Sequence, residues 1–205
     1  MPVPPDPPSL QPAASARPVL TTPRLLLRTG QPADALAVCD FLVRNRAHFA
    51  RWDPPTAEVF FTPGAQAERL VQAGEAFANG SGYRYWLVLP EAPERIVGSI
   101  HFSQVARGAF HSCMLGYALD AELQGHGLMA EALRAGIAEM FSPNVNLHRV
   151  QANHRPENLR SAATLQRLGF QVEGLALQYL YIDGAWRDHV MTALLNPAFR
   201  PLVGW

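Results

Sequence analysis

The chain has 205 residues, 48% hydrophobic and 17% charged, and its seventeen basic and seventeen acidic side chains leave no net charge. That length suits one domain with a sizeable core, and the neutral balance excludes a protein held to nucleic acid by a bulk basic surface. Two cysteines, Cys39 and Cys113, make no disulfide framework, the seven histidines lack ligand spacing, and no apolar run approaches the roughly 18 residues of a membrane span. Free thiols, no metal and no membrane are therefore expected. The N-terminus also lacks the apolar core of a signal peptide, so a cytoplasmic location is expected.

In chain order, residues 1–18 are rich in Pro, Ala and Ser, cannot bury enough surface to offset their ordering entropy, and read as a disordered tail before a domain over 19–205. Residues 22–28 read as an edge strand starting after Pro23. Residues 33–48 have helical apolar spacing (Leu36, Val38, Phe41, Leu42), with Pro32 near the start. A loop with Phe49, Trp52, Asp53 and two prolines follows, then a second helix over 63–79 stopped near Gly80. Segments 83–89, 95–105 and 111–119 read as an antiparallel meander. A helix over about 125–141 and a strand over 147–153 complete a β–helix–β unit, whose two strands must be parallel. A helix over 158–168 ends at Gly169. Strands at 173–182 and 185–195 flank Asp183-Gly184, a two-residue hairpin signal. The whole is a mixed α/β single domain.

The chemistry gathers at 115–133. There a strand, a polar turn and Gln124-Gly125-His126-Gly127-Leu128-Met129 lead into an amphipathic helix. The first turn of a helix carries N–H groups without intrahelical partners and partial positive charge, and glycines let the backbone approach a phosphate. No GxxxxGK[ST] is present and the chain contains no lysine, which excludes a P-loop. Gly125-His126-Gly127 lacks the third glycine of a dinucleotide loop.

Gln124, Gly127 and Met129 after a strand, with Asn158 and Ser161 and then Leu168-Gly169-Phe170 downstream, resemble the GCN5-related N-acetyltransferase (GNAT) superfamily. Further residues narrow the match to its RimJ-type ribosomal-protein-alanine N-acetyltransferases: Arg107, Gly108, Phe110, His111 and Cys113; Leu115-Gly116-Tyr117; Gly125 and Leu128; and the series from Tyr179 to His189 that includes Asp183-Gly184, Trp186 and Asp188. The resemblance spans about residues 20–197. It implies a GNAT-like domain with a mostly antiparallel mixed sheet, splayed central strands and flanking helices. It also implies acetyl-CoA as donor substrate without a metal, and the N-terminal α-amine of a ribosomal protein, or another protein N-terminus, as acceptor. No direct contact with nucleic acid is required.

For the donor, the resemblance places Leu119, Gln124, Gly125, His126, Gly127, Leu128 and Met129 along the cofactor, with Asn153, Asn158 and Ser161 beside its arm. Arg134 and Arg160 are candidates for its phosphates. Asn158 also reads as a helix N-cap, Asn153 also as a strand end, and the arginines also as solvated helix residues. Many relatives carry a tyrosine that protonates the leaving thiolate. Here that position is Leu165, which leaves Ser161 as candidate donor. An α-amine has a pKa near 8 and a lysine near 10.4, so at neutral pH roughly one α-amine in ten is already neutral and a modest base suffices. Glu122, just before the loop, and His111 are the candidate bases; an exposed loop glutamate and a hydrogen-bonded strand histidine are the plainer readings. Phe49, Trp52, Asp53, Tyr179 and Trp186 are candidates for the acceptor, with Asp53 suited to a protonated N-terminus and the aromatics equally suited to local core. Two other functions share these features: transfer to a small amine such as a polyamine or aminoglycoside, and non-catalytic acyl-CoA binding, as in a ribosome assembly factor.

Overall fold

The computed structural model describes residues 19–201; the expected tail at 1–18 lies outside them. Eight strands form one sheet: β1 (Val19–Thr21), β2 (Leu26–Arg28), β3 (Tyr83–Leu89), β4 (Ala92–Ala106), β5 (Ser112–Leu119), β6 (Arg149–His154), β7 (Gln171–Ile182) and β8 (Ala185–Leu195). Their spatial order is β1-β2-β3-β4-β5-β6-β8-β7, antiparallel except where β5 meets β6. The helices are α1 (Ala35–Arg44), α2 (Arg46–Phe49), α3 (Pro63–Asn79), α4 (Leu128–Phe141) and α5 (Leu159–Arg167). No helix among the described residues is long and apolar enough to cross a membrane.

Strand alternation divides the core into two layers. Tyr83, Tyr85 and Leu87 of β3 join Ile100 and Phe102 of β4 under the apolar stripe of α4, where Leu133 and Met140 are fully buried. The intervening Trp86 and Val88 point to the opposite face, against Val38 and Phe41 of α1 and Leu70 of α3. Each such fully buried side chain contributes roughly 1.5–3 kcal/mol. At the far edge, β7 is exposed along nearly all of its length.

Besides shifts of one to three residues at other element ends, three elements differ from the expectations. The first strand is a small hairpin: β1 and β2 pair through Leu20↔Leu27, and the turn around Pro23 closes by Thr22 N–H donating to the Leu25 carbonyl at 2.9 Å. The first helix breaks at Asn45, whose side chain turns back to donate to the Phe41 carbonyl at 3.0 Å. The central helix starts at Leu128, because Gly127 holds a left-handed φ of 77° and serves as its N-cap. The meander, the parallel crossover and the Asp183-Gly184 hairpin form as expected.

Candidate active site

β5 and β6 pair over only three positions, Ser112↔Arg149, Cys113↔Val150 and Met114↔Gln151. Beyond Met114, β5 remains paired with β4 alone, while β6 runs on beside β8. The two parallel strands therefore splay, and each exposes backbone hydrogen-bonding groups to the gap. A cleft of about 790 Å³ opens there, lined by β5, the loop at 124–127, the start of α4, α5 and the segment 47–53.

The loop is shaped by its glycines. Gly125 (φ 86°) and Gly127 (φ 77°) are left-handed, and a Cβ built on Gly125 would meet nothing within 4 Å. The main chain therefore faces open space just where α4 presents its unpartnered N–H groups, a cradle that fits an anion. Leu119, Gly125, Gly127, Leu128 and Met129 line the cleft, together with Arg160 and Arg167. His126 does not; its side chain is exposed and its carbonyl accepts from Arg24 Nη1 at 2.9 Å. Arg134 is exposed and outside the lining.

Clamps hold this loop from both sides. Arg24 Nε donates to Glu131 at 2.8 Å, and the Thr22 hydroxyl donates to the same carboxylate at 2.7 Å. On the other side, buried Asp120 accepts from Arg44 at 2.9 Å and Arg95 at 3.2 Å, and Asn45 Oδ1 accepts from the Ala121 N–H at 3.0 Å. Gln124 completes the set. Its Oε1 accepts from Arg160, and its Nε2 donates to His48 Nε2 at 2.7 Å. That bond requires a lone pair on His48 Nε2 and hence the Nδ1–H tautomer, assigned from the network. Burial, then the charge of Arg160, lowers the His48 pKa and keeps the ring neutral.

Asn158 caps α5 by accepting from the Ser161 N–H at 3.1 Å, so its capping and lining roles coexist. Ser161 lines the cleft and shares a 2.6 Å hydrogen bond with the Tyr117 hydroxyl. Tyr117, from the Leu115-Gly116-Tyr117 run on β5, is a cleft residue that the sequence alone does not reveal as one. Burial pushes its pKa up to about 12, against a smaller opposing pull from Ser161, so the phenol stays protonated across the working range. Leu165 points instead into the core and is 1% exposed. The tyrosine hydroxyl beside the serine thus comes from β5.

Neither candidate base reaches the cleft. His111 precedes β5 at its β6-paired end, where its ring packs against Phe199 at 5.2 Å and its carbonyl accepts from His148 and Arg149 N–H groups. At about 3.3 Å per strand residue, that is roughly 20 Å from Tyr117. Glu122 projects outward, 81% exposed, facing Arg95 at 3.6 Å. Asn153, Tyr179 and Trp186 also lie outside the lining. Asn153 makes a long 3.5 Å contact to the Tyr179 hydroxyl, Tyr179 packs at a tilt against His189, and Trp186 packs edge-on against Tyr181 of the exposed hairpin. The expected acceptor residues Phe49, Trp52 and Asp53 do line the cleft. Their loop is anchored by Arg155, whose Nη1 donates to the Arg51 carbonyl at 2.7 Å and whose guanidinium lies 5.6 Å from the Trp52 ring centre. Asp53 is exposed along the open cleft, yet protein crowds its carboxyl on the other sides, and this desolvation raises its pKa to about 6.

Comparison with known proteins agrees with this geometry. The acetyltransferase (GNAT) domain family matches residues 24–171. The [ribosomal protein uS5]-alanine N-acetyltransferase of Escherichia coli K12 is 43% identical over 182 residues, 89% of this chain and 93% of that protein. The crystal structure of the ribosomal-protein-S5-alanine acetyltransferase of Vibrio fischeri superposes with a TM-score of 0.86 at 36% identity, covering 90% of this chain and all (100%) of the other. Mycobacterium smegmatis RimJ in complex with CoA-disulfide gives 0.79 at 30% identity, over 87% of this chain and 86% of that one.

Proposed function

The chain belongs to the GNAT acetyltransferase family, and from that premise we propose that it transfers the acetyl group of acetyl-CoA to the N-terminal alanine α-amine of a ribosomal protein, in the cytoplasm. The observation that carries the acceptor is the 43% identity to the uS5-alanine enzyme, which extends over nearly all of both chains. The splayed β5–β6 gap and the glycine loop at the head of α4 support the donor.

In this reading the N–H groups opening α4 receive the pyrophosphate, and Arg160 adds charge from α5. The open edges of β5 and β6 supply main-chain partners for the pantetheine arm. Ser161 donates a hydrogen bond to the departing sulfur. Tyr117 donates to Ser161 in turn, which leaves the serine proton directed at the thiolate. Phe49 and Trp52 flank the acceptor's entry. An α-amine suits such a site because making it neutral at pH 7 costs about 1.4 kcal/mol, against more than 4 kcal/mol for a lysine.

Thiol release from acetyl-CoA tests the reading, with short peptides beginning in Ala, peptides whose only amine is an internal lysine, and spermidine as acceptors. Turnover confined to the free N-terminal peptides is expected. Turnover of spermidine alone would move the acceptor class to small amines.

A further inference from the structure

We propose, building on that acetyl-transfer reading, that Asp53 is the general base that takes the first proton from the acceptor's ammonium group. Among the described residues, two carboxylates line the cleft, Asp53 and Glu157. Glu157 faces Arg155 at 3.4 Å, and a hydrogen bond from its own backbone N–H, then the Arg155 charge, holds it below the usual glutamate range. No described side chain pairs with the Asp53 carboxylate. The lining histidine, His48, has its Nε2 lone pair committed to Gln124. Asp53 is also held in place: its N–H donates to the Phe49 carbonyl at 2.9 Å, closing the α2 turn, and the neighbouring Trp52 ring lies near the guanidinium groups of Arg51 and Arg155. The ionisable groups around it are Arg51 on its own loop, His48 on α2, Tyr117 on β5, Arg155 and Glu157 at the β6–α5 corner, and Arg160 and Arg167 on α5.

The protons balance as follows. The Asp53 carboxylate takes one proton from the ammonium and later releases it to water. The freed nitrogen lone pair forms the C–N bond to the thioester carbonyl. The C–S bond then breaks, the sulfur takes the Ser161 hydroxyl proton, and the serine recovers the second proton shed by the nitrogen. Desolvation of the Asp53 carboxyl raises its pKa toward that of the amine. With a base at about 6, transfer from an α-ammonium near 8 is unfavourable by about a hundredfold, whereas from a lysine near 10.4 it is unfavourable by over ten-thousandfold. The same group thus removes the proton and favours α-amines over lysine side chains.

The test compares wild type, Asp53→Asn and Asp53→Glu across pH 5–9, using whichever primary amine the wild type acetylates, so that a wrong acceptor class does not mask the result. Wild-type kcat/KM is expected to show an acidic limb near pH 6 in addition to that of the amine. Asp53→Asn should lose about a hundredfold at pH 7, within the usual 10²–10⁴ range for general acid–base groups, with KM for acetyl-CoA within twofold. The limb near 6 should vanish, and Asp53→Glu should restore at least a tenth of the rate. Carbon-13 titration of the Asp53 carboxyl in wild type should give a midpoint near 6 with no acceptor present. Asp53→Asn within threefold of wild type, a variant that raises only the acceptor KM while keeping the limb, or a carboxyl that titrates near 4 would each overturn the assignment.

Discussion

Replacing Tyr117 by Phe removes one oxygen from the cleft and nothing else. The Tyr117–Ser161 separation of 2.6 Å is at the short end for O–H···O bonds. Either hydroxyl can donate in that bond; in the proposed series arrangement the phenol, kept protonated by a pKa pushed up to about 12, donates to the serine oxygen. Without it, the serine proton is free to rotate away from the sulfur. A neutral hydrogen bond is worth a net 0.5–1.5 kcal/mol, about two- to thirteen-fold in rate. Tyr117→Phe should therefore lower kcat two- to thirteen-fold, while Ser161→Ala, which removes the proposed thiolate donor, should cost about a hundredfold. The two hydroxyls act in series, so the double variant should be no slower than Ser161→Ala alone. Thiol release at saturating acetyl-CoA measures this, and the CoA dissociation constant should stay within twofold for Tyr117→Phe. Because the ring remains, the melting temperature should shift by no more than about 4 °C. Fully additive losses in the double variant, or an unchanged kcat in Tyr117→Phe, would refute the series arrangement.

Gly127→Ala places a side chain at φ 77° in the N-cap of α4. The left-handed conformation costs a non-glycine residue about 1–2 kcal/mol, so a modest drop in melting temperature with a roughly five- to thirty-fold weaker CoA affinity by calorimetry is expected. His101 has its pKa pushed down to about 3 by burial and then by Arg84, whose Nη2 donates to His101 Nδ1 at 2.7 Å. The unfolded chain then binds a proton that the folded chain refuses, so His101 costs no stability above pH 6.5 and progressively more as pH falls toward 3. His101→Gln should flatten the fall in urea-unfolding free energy between pH 6.5 and 4; an unchanged slope would show that the ring titrates near its ordinary value.

Much of the molecule was legible before folding because it depends on neighbours in sequence. Strand alternation around Asp183-Gly184, the helical stripe of α4 and the glycine loop before it are local patterns, and the loop they mark does line the cleft. The start of α4 differs because Gly127 adopts a left-handed φ, which periodicity does not report, and His126 turns outward from the same loop. The catalytic neighbourhood was not legible in this way. Tyr117 and Ser161 are 44 residues apart, and His48 and Gln124 are 76 apart. Alternation along β5 tells which face a residue takes, not which end of the strand opens into the cleft. His111 and Tyr117 belong to the same run, yet only Tyr117 lies past Met114, where β5 and β6 part. Glu122 sits three residues from the anion loop's Gly125 and still turns outward, because the clamp on Asp120 and Ala121 fixes that corner with Glu122 facing Arg95 and solvent. By itself, the sequence determined the elements and the family, since both reside in short-range pattern. Which hydroxyl stands beside Ser161, and which carboxylates line the cleft, depended on where two strands separate and where α2 is pinned, and those are decided by contacts between distant residues that only the folded chain brings together.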